Sequence, residues 1–365
     1  MKKIHLTLLF LFFFGTSFSQ SIIIDHNCTK IDSIPKSAIN KAKQSLHIVY
    51  GHTSHGSQLI SGMDKLDDFK GGTGLYRWHD GPQEGALDID DRFVPGDLGH
   101  NGDTTWASRT RTYLNASNHS DVNVVIWSWC GGMSDNTEAG VQTYLDKMDE
   151  LEKDYPKITF VYMTGHSDIW NDADLKTNNQ QIRDYCKAHN KVLYDFHDIE
   201  RYDPDGKFFE FTNDDCSYYR DGDGSEKLGN WAEEWQNRHT KGVDWYDCSA
   251  AHTKPLNGNL KAYAAWWLWS RLAGWAGTSA NVAAQQKERT DIKVYPNPAL
   301  EEHLNISVDN TLLGSTLYII DETGKQMKTF QIKERGTQKI DIRNLNNGCY
   351  FITSNSGDVV KFIKQ

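Results

Sequence analysis

Val122-Asn123-Val124-Val125-Ile126-Trp127, continuing into Ser128-Trp129-Cys130-Gly131-Gly132, is the stretch on which the fold turns. A short unbroken apolar run closed by glycines is the pattern of a strand buried on both faces, as in a parallel sheet covered by helices. Three further runs resemble it: residues 46–50 ending at Gly51, residues 158–163 ending near Gly165, and residues 191–196. Helical periodicity separates them. Residues 137–155 place Val141, Tyr144, Leu145, Met148 and Leu151 on one face. Residues 175–189 do the same with Ile182 and Tyr185. Residues 260–275 form an apolar closing helix whose Trp266, Trp267 and Trp269 read as core. Strand alternating with helix predicts an α/β, flavodoxin-like parallel sheet with helices on both faces over residues 21–275. Ligands in such sheets sit beyond the carboxyl ends of the strands, so the residues just after each run are the candidate site.

Working outward, Lys2 and Lys3, an apolar stretch over 6–14 and small polar residues over 15–20 predict a signal peptide over residues 1–20, cleaved near Ser19 or Gln20. No later stretch has membrane-spanning length. The 365 residues carry a formal charge of -10, which argues against a nucleic-acid partner. Six cysteines occur without a Cys-x-x-Cys pair, so a thiolate zinc site is not expected. Cys216 and Cys248 are a candidate disulfide, with buried thiols as the alternative. Residues 201–250, rich in Asp, Gly, Tyr and Trp, read as an insertion that shapes the pocket. Within it Asp221 and Asp223 hint at calcium, but the later liganding Glu of an EF-hand is missing, which favours a solvated turn. Residues 276–291 read as a linker, and short alternating strands over 292–365 as a small C-terminal β-sandwich.

Two resemblances add to this. Val294-Tyr295-Pro296-Asn297-Pro298, Ile320-Asp321-Glu322-Thr323-Gly324-Lys325 and Leu345-Asn346-Asn347-Gly348-Cys349-Tyr350-Phe351 resemble the type IX secretion C-terminal sorting domain. This implies export by that machinery to the cell surface or the medium. The layout over roughly 45–275 resembles a divergent SGNH (GDSL-type) hydrolase, with Asp247-Cys248-Ser249-Ala250-Ala251-His252 standing where the family has Asp-x-x-His. The family's Gly-Asp-Ser is replaced by Gly51-His52-Thr53, and its Gly-x-Asn-Asp by residues 127–132.

Three chemistries fit the candidate residues. The first is β-elimination from a uronate-containing, sulfated algal polysaccharide, on a general similarity to ulvan lyase and dehydratase groups. His52, His55, His166 and His252 would supply base, acid and carboxylate contacts, since histidine titrates near working pH. Arg109 would hold the anionic substrate, Tyr50 would contact it, and Trp129 and Trp170 would stack on sugar rings. This reading requires no cofactor. The second is a carbohydrate esterase with Ser54 as nucleophile, His252 as base, Asp247 as its orienting partner and N–H groups near Gly131 as oxyanion donors. The third is a non-catalytic glycan-binding surface protein. A zinc or calcium site is a further alternative, with His52, His55, His166 and His252 as zinc ligands. His119, His189 and His197 read as solvated.

Overall fold

The computed structural model describes residues 21–100, 102–277, 293–299, 302–308, 315–321, 325–333, 336–354 and 359–365. The expected signal peptide and most of the expected linker lie outside the described residues. The chain divides into two compact units, residues 1–278 and 279–365.

The first unit is built on a parallel sheet of β1 (Ile22–Ile24), β2 (His47–Gly51), β3 (Trp78–His79), β4 (Leu87–Asp91), β5 (Val124–Trp127), β6 (Thr159–Met163) and β7 (Val192–Tyr194). Their order is β1-β7-β6-β5-β2-β4-β3, and every neighbouring pair is parallel. The five central strands, β4-β2-β5-β6-β7, follow the flavodoxin-type order. From β2 the chain steps outward to β4, then returns to the other side of β2 to form β5. The order therefore reverses between β2 and β5, and a crevice opens beyond their carboxyl ends.

The helices are α1 (Lys36–Ser45), α2 (Ser57–Phe69), α3 (Thr105–Leu114), α4 (Glu138–Asp154), α5 (Asp172–Ala188), α6 (Phe196–Ile199), α7 (Trp231–Arg238) and α8 (Pro255–Leu272). α8 packs against α1 and α2, while α4 packs between α3 and α5. α4 starts where Thr137 accepts a hydrogen bond from the Gly140 N–H and Glu138 faces the positive end of the helix dipole. α8 is buried from Leu256 to Ser270, which is why its apolar residues run all the way round rather than along one stripe. Trp266, Trp267 and Trp269 are core residues, each at most 1 % exposed.

Local pattern missed several elements. Residues 21–45, where no element was expected, contain β1 and α1, and the insertion contains the hairpin of β8 (Ser217–Tyr219) and β9 (Lys227–Asn230) together with α7. Asp221 and Asp223 form a turn in which each carboxylate accepts a backbone N–H two residues on. No disulfide forms among the six cysteines. Cys216 Sγ lies 3.1 Å from Thr253 Oγ1, and Cys248 Sγ donates to the Pro255 carbonyl, so the expected pair is two separate buried thiols. His197 is 1 % exposed, because its ring enters the core under Arg183 rather than meeting water.

The second unit consists of two antiparallel sheets. One contains β10 (Lys293–Tyr295), β11 (His303–Val308) and β14 (Gly336–Asp341). The other contains β12 (Thr316–Asp321), β13 (Gln326–Gln331), β15 (Gly348–Ser354) and β16 (Val359–Lys364). Leu304, Ile306 and Ile340 of one sheet share a core with Leu317, Ile319, Ile352 and Phe362 of the other, which makes the unit a sandwich.

Candidate active site

The loops following β2, β5 and β6 and the turn entering β8 meet at the crevice. Cys130 lies just past β5 and His55 in the turn between β2 and α2. Cys130 Sγ is 3.2 Å from His55 Nδ1, and the other ring nitrogen, Nε2, is 3.0 Å from Asp214 Oδ2. Thiol, imidazole and carboxylate therefore form one hydrogen-bonded chain, the geometry of a nucleophile, its base and the group that orients the base.

The electrostatics of the chain agree with that assignment. Burial works against charge on Cys130, but hydrogen bonds centred on His55 outweigh it and bring the thiol down to about 6. The Thr53 hydroxyl also lies near the sulfur, yet its single proton goes to Asp97 Oδ2 at 2.5 Å, so His55 is the principal donor. Burial pushes the His55 imidazole down, while the hydrogen bonds to Asp214 and Cys130 and the field of Glu200 more than reverse this, to about 9. Burial would raise the Asp214 carboxyl, but His55 beside it keeps it below the ordinary carboxylate range. Between about 6 and about 9 the chain is thiolate, imidazolium and carboxylate.

Gly131 and Gly132 follow the thiol with φ of 84° and 73°. This left-handed pair is open to glycine and strained for residues with a side chain. It turns the loop so that the Gly131 N–H donates to His166 Nε2 at 3.2 Å. The N–H groups of Gly132 and Met133 donate to no acceptor among the described residues. Two consecutive amides next to the thiol are thus available as donors for a developing oxyanion.

His55 is flanked by two further imidazoles. His166 stacks at 3.7 Å between ring centroids with 2° between planes, and His252 at 4.5 Å with 13°. His166 Nδ1 lies 2.8 Å from the Ser167 carbonyl and Nε2 accepts from Gly131, which assigns the neutral tautomer. Burial and the cationic His55 both hold His166 below its usual range. His252 sits at φ 62°, an uncommon conformation for a residue other than glycine, at the turn into α8.

Buried polar groups from distant segments set these loops. Asn178 donates to the Met133 and Asn136 carbonyls, and Asn179 accepts from the Gly165 N–H. Glu200 accepts from the Ser167 N–H at 2.7 Å and pairs at 2.5 Å with Lys261, both side chains being at most 1 % exposed. Lys261 also reaches Gln58, whose amide donates to the Ala251 carbonyl beside His252. One buried ion pair thus ties α8 to the histidine loops.

Of the residues expected from sequence, His55, His166 and His252 come together. His52 does not join them: its side chain is fully buried, with Nε2 2.6 Å from Asp91 Oδ1 and Nδ1 2.8 Å from the Thr53 carbonyl. Ser54 is in the same turn as His55, and its hydroxyl makes no hydrogen bond among the described residues. Asp247 pairs with Lys241 at 2.7 Å instead of orienting His252. Arg109, on α3, donates to the Pro95 carbonyl. Tyr50 is buried and donates to the Gly56 carbonyl, so no ring face or hydroxyl is left for substrate. Trp129 is 2 % exposed and donates to the Met163 carbonyl, because its ring points back under the strand ends into the core. Trp170 is 66 % exposed.

Cys130 and Asp214 were not singled out by sequence reasoning. The signal for Cys130 was its place, a thiol before two glycines just after the most apolar strand. Asp214 carried none, being one of many acids in an irregular insertion.

His55, His166 and Asp214 also have one ligand atom each within 4.8 Å of one another. Two rings stacked 2° from parallel direct their in-plane lone pairs side by side, whereas zinc needs lone pairs that converge on one point about 2.0–2.1 Å from each nitrogen. The set fits a hydrogen-bond relay better than a metal centre.

Residues 293–365 match the model of the secretion system C-terminal sorting domain family. The tail is a type IX secretion sorting domain. The protein is therefore exported by that machinery and works in the medium or at the cell surface. The sorting domain holds its own core and contains none of the residues of the cysteine–histidine cluster. No helix among the described residues is long and apolar enough to cross a membrane. The chain matches no curated protein sequence.

Proposed function

We propose that the N-terminal unit is a cysteine-dependent acyl hydrolase that cleaves an ester of an extracellular substrate. The observation that carries this reading is the Cys130–His55–Asp214 chain, with contacts of 3.2 and 3.0 Å. The Cys130 thiolate attacks the ester carbonyl and forms a tetrahedral centre, whose oxyanion meets the Gly132 and Met133 N–H groups. His55 Nδ1 gives its proton to the departing alkoxide, leaving a thioester on Cys130. His55, now neutral, takes a proton from water, which attacks the thioester. The acid leaves and the ion pair is restored. Asp214 holds the ring in the tautomer that keeps Nδ1 toward sulfur.

Elimination from a uronate has less support. The lone pair of His166 Nε2 is engaged by Gly131, and Arg109, the arginine expected to hold the substrate carboxylate, is bonded to the Pro95 carbonyl instead. Hydrolysis of p-nitrophenyl acetate by Cys130→Ala and Ser54→Ala separates the readings. The expected result is a loss of at least ~10³-fold in kcat/KM for Cys130→Ala and retention of most activity by Ser54→Ala. The reverse pattern moves the nucleophile to Ser54. An unsaturated product from a uronate glycan, lighter by one water than a hydrolysis product, replaces hydrolysis by elimination.

A further inference from the structure

We infer that Trp170 is a pre-built stacking platform for a neutral sugar ring, which makes the acyl donor an esterified neutral glycan rather than a uronate polymer. The inference rests on the hydrolase reading for the word donor, but not for the binding site itself.

Among the twelve tryptophans Trp170 alone is exposed, at 66 %. It is not a loose side chain. Gly224, at φ 68°, packs close beside the six-membered part of the ring: a Cβ there would stand 3.0 Å from Cζ3 and 3.2 Å from Cε3. Tyr219 meets the ring edge-on at 6.3 Å. The backbone is pinned as well. The Trp170 N–H donates to Asp168 Oδ1, and the other oxygen of that carboxylate accepts from Ser134 on the Cys130 loop at 2.6 Å. The Ile169 N–H donates to Asn213, the neighbour of Asp214. The six-membered part of the indole is therefore held close to the Gly224 backbone while much of the ring remains open to solvent. The platform is stapled to both loops that carry the thiol and its carboxylate. It lies four positions beyond His166, a span of at most ~14 Å, within the reach of a short oligosaccharide. An apolar ring held rigid in water binds without paying to order itself, and flat C–H faces of pyranoses stack on such rings.

The charge around the platform selects among glycans. Asp221 and Asp223 precede the supporting Gly224 on the exposed turn. The nearby cations are already paired, Arg220 with Glu226 at 2.5 Å and Lys176 with Asp172 at 2.7 Å. A polyanion meets like charge here and no uncommitted cation among these groups, whereas a neutral acetylated chain meets no such repulsion.

The test uses the full chain carrying Cys130→Ala, so that binding is read without turnover. Affinity electrophoresis and titration calorimetry are run with acetylated xylan and, separately, with polygalacturonate. The expected result is measurable affinity for acetylated xylan, at least ten-fold weaker in Trp170→Ala and similarly weakened in Gly224→Val, which displaces the ring without removing it. Trp170→Phe should retain most of the affinity. Unchanged affinity in Trp170→Ala, no binding to acetylated xylan, or tighter binding of polygalacturonate would each overturn the inference. Loss of binding in Trp170→Ala from a protein with no hydrolytic activity leaves the platform standing and removes the hydrolase reading alone.

Discussion

The proposed hydrolysis depends on the charge state of Cys130, and His55→Ala tests it directly. In the native site the thiol titrates at about 6, although burial opposes ionisation. Removing the imidazole deletes the hydrogen-bond donor and the neighbouring positive charge and leaves the burial. The midpoint should rise to the ordinary 9.0 or beyond. At pH 7 the thiolate fraction would then fall from about 90 % to about 1 %. A more basic thiolate is also intrinsically more reactive, by roughly 20-fold over three units at a Brønsted slope of ~0.4–0.5. The net fall in alkylation rate is therefore about 4-fold at pH 7 but about 30-fold at pH 5.5, so the pH profile is the decisive readout. The assay is iodoacetamide labelling from pH 4.5 to 10.5, with Cys130 followed in its own peptide by mass spectrometry. Cys28, Cys186, Cys216 and Cys248 supply internal controls, since burial holds each of these thiols well above its ordinary range. A wild-type midpoint near 9, or the same midpoint in His55→Ala, refutes the ion pair.

Two further outcomes follow from the same geometry. Hydrolysis should show a plateau in kcat/KM between about 6, above which the thiolate exists, and about 9, below which His55 keeps its proton. The limbs belong to the coupled pair rather than to either residue. A profile that keeps rising through pH 9 would contradict the requirement for imidazolium. Lys261→Met should lower stability by about 3–5 kcal/mol, because it strands the Glu200 carboxylate in the core. Calorimetry should read a Tm lower by roughly 6–20 °C, with much of the loss recovered in Lys261→Met/Glu200→Gln. A decrease corresponding to less than ~1 kcal/mol would show that the pair is not what holds α8 to the histidine loops.

What the sequence determined by itself was whatever depends on neighbours in the chain. The predominantly apolar runs at 122–127 and 158–163 become strands because so apolar a segment is stable only where both faces are covered. The helices at 137–155 and 175–189 show their buried faces as a period. The sorting-domain tail is legible because its turns and short strands follow one another in order. The rule that ligands sit beyond strand ends pointed to the edge of the sheet where His55, His166 and His252 come together.

Tertiary structure alone decided which groups at that edge meet. Cys130 lies 75 positions from His55, and Asp214 lies 159 from it. The first distance closes because β5 pairs with β2 rather than with β4, and the second because the insertion folds back over the crevice. Nothing local distinguishes Asp214 from Asp215, or Trp129 from Trp170. Hydrogen-bond partners and solvent exposure are properties of the packed fold. Tertiary packing sent Trp129 under the strands, turned His52 toward Asp91, drew Asp247 to Lys241, and brought the Cys130 thiol to His55.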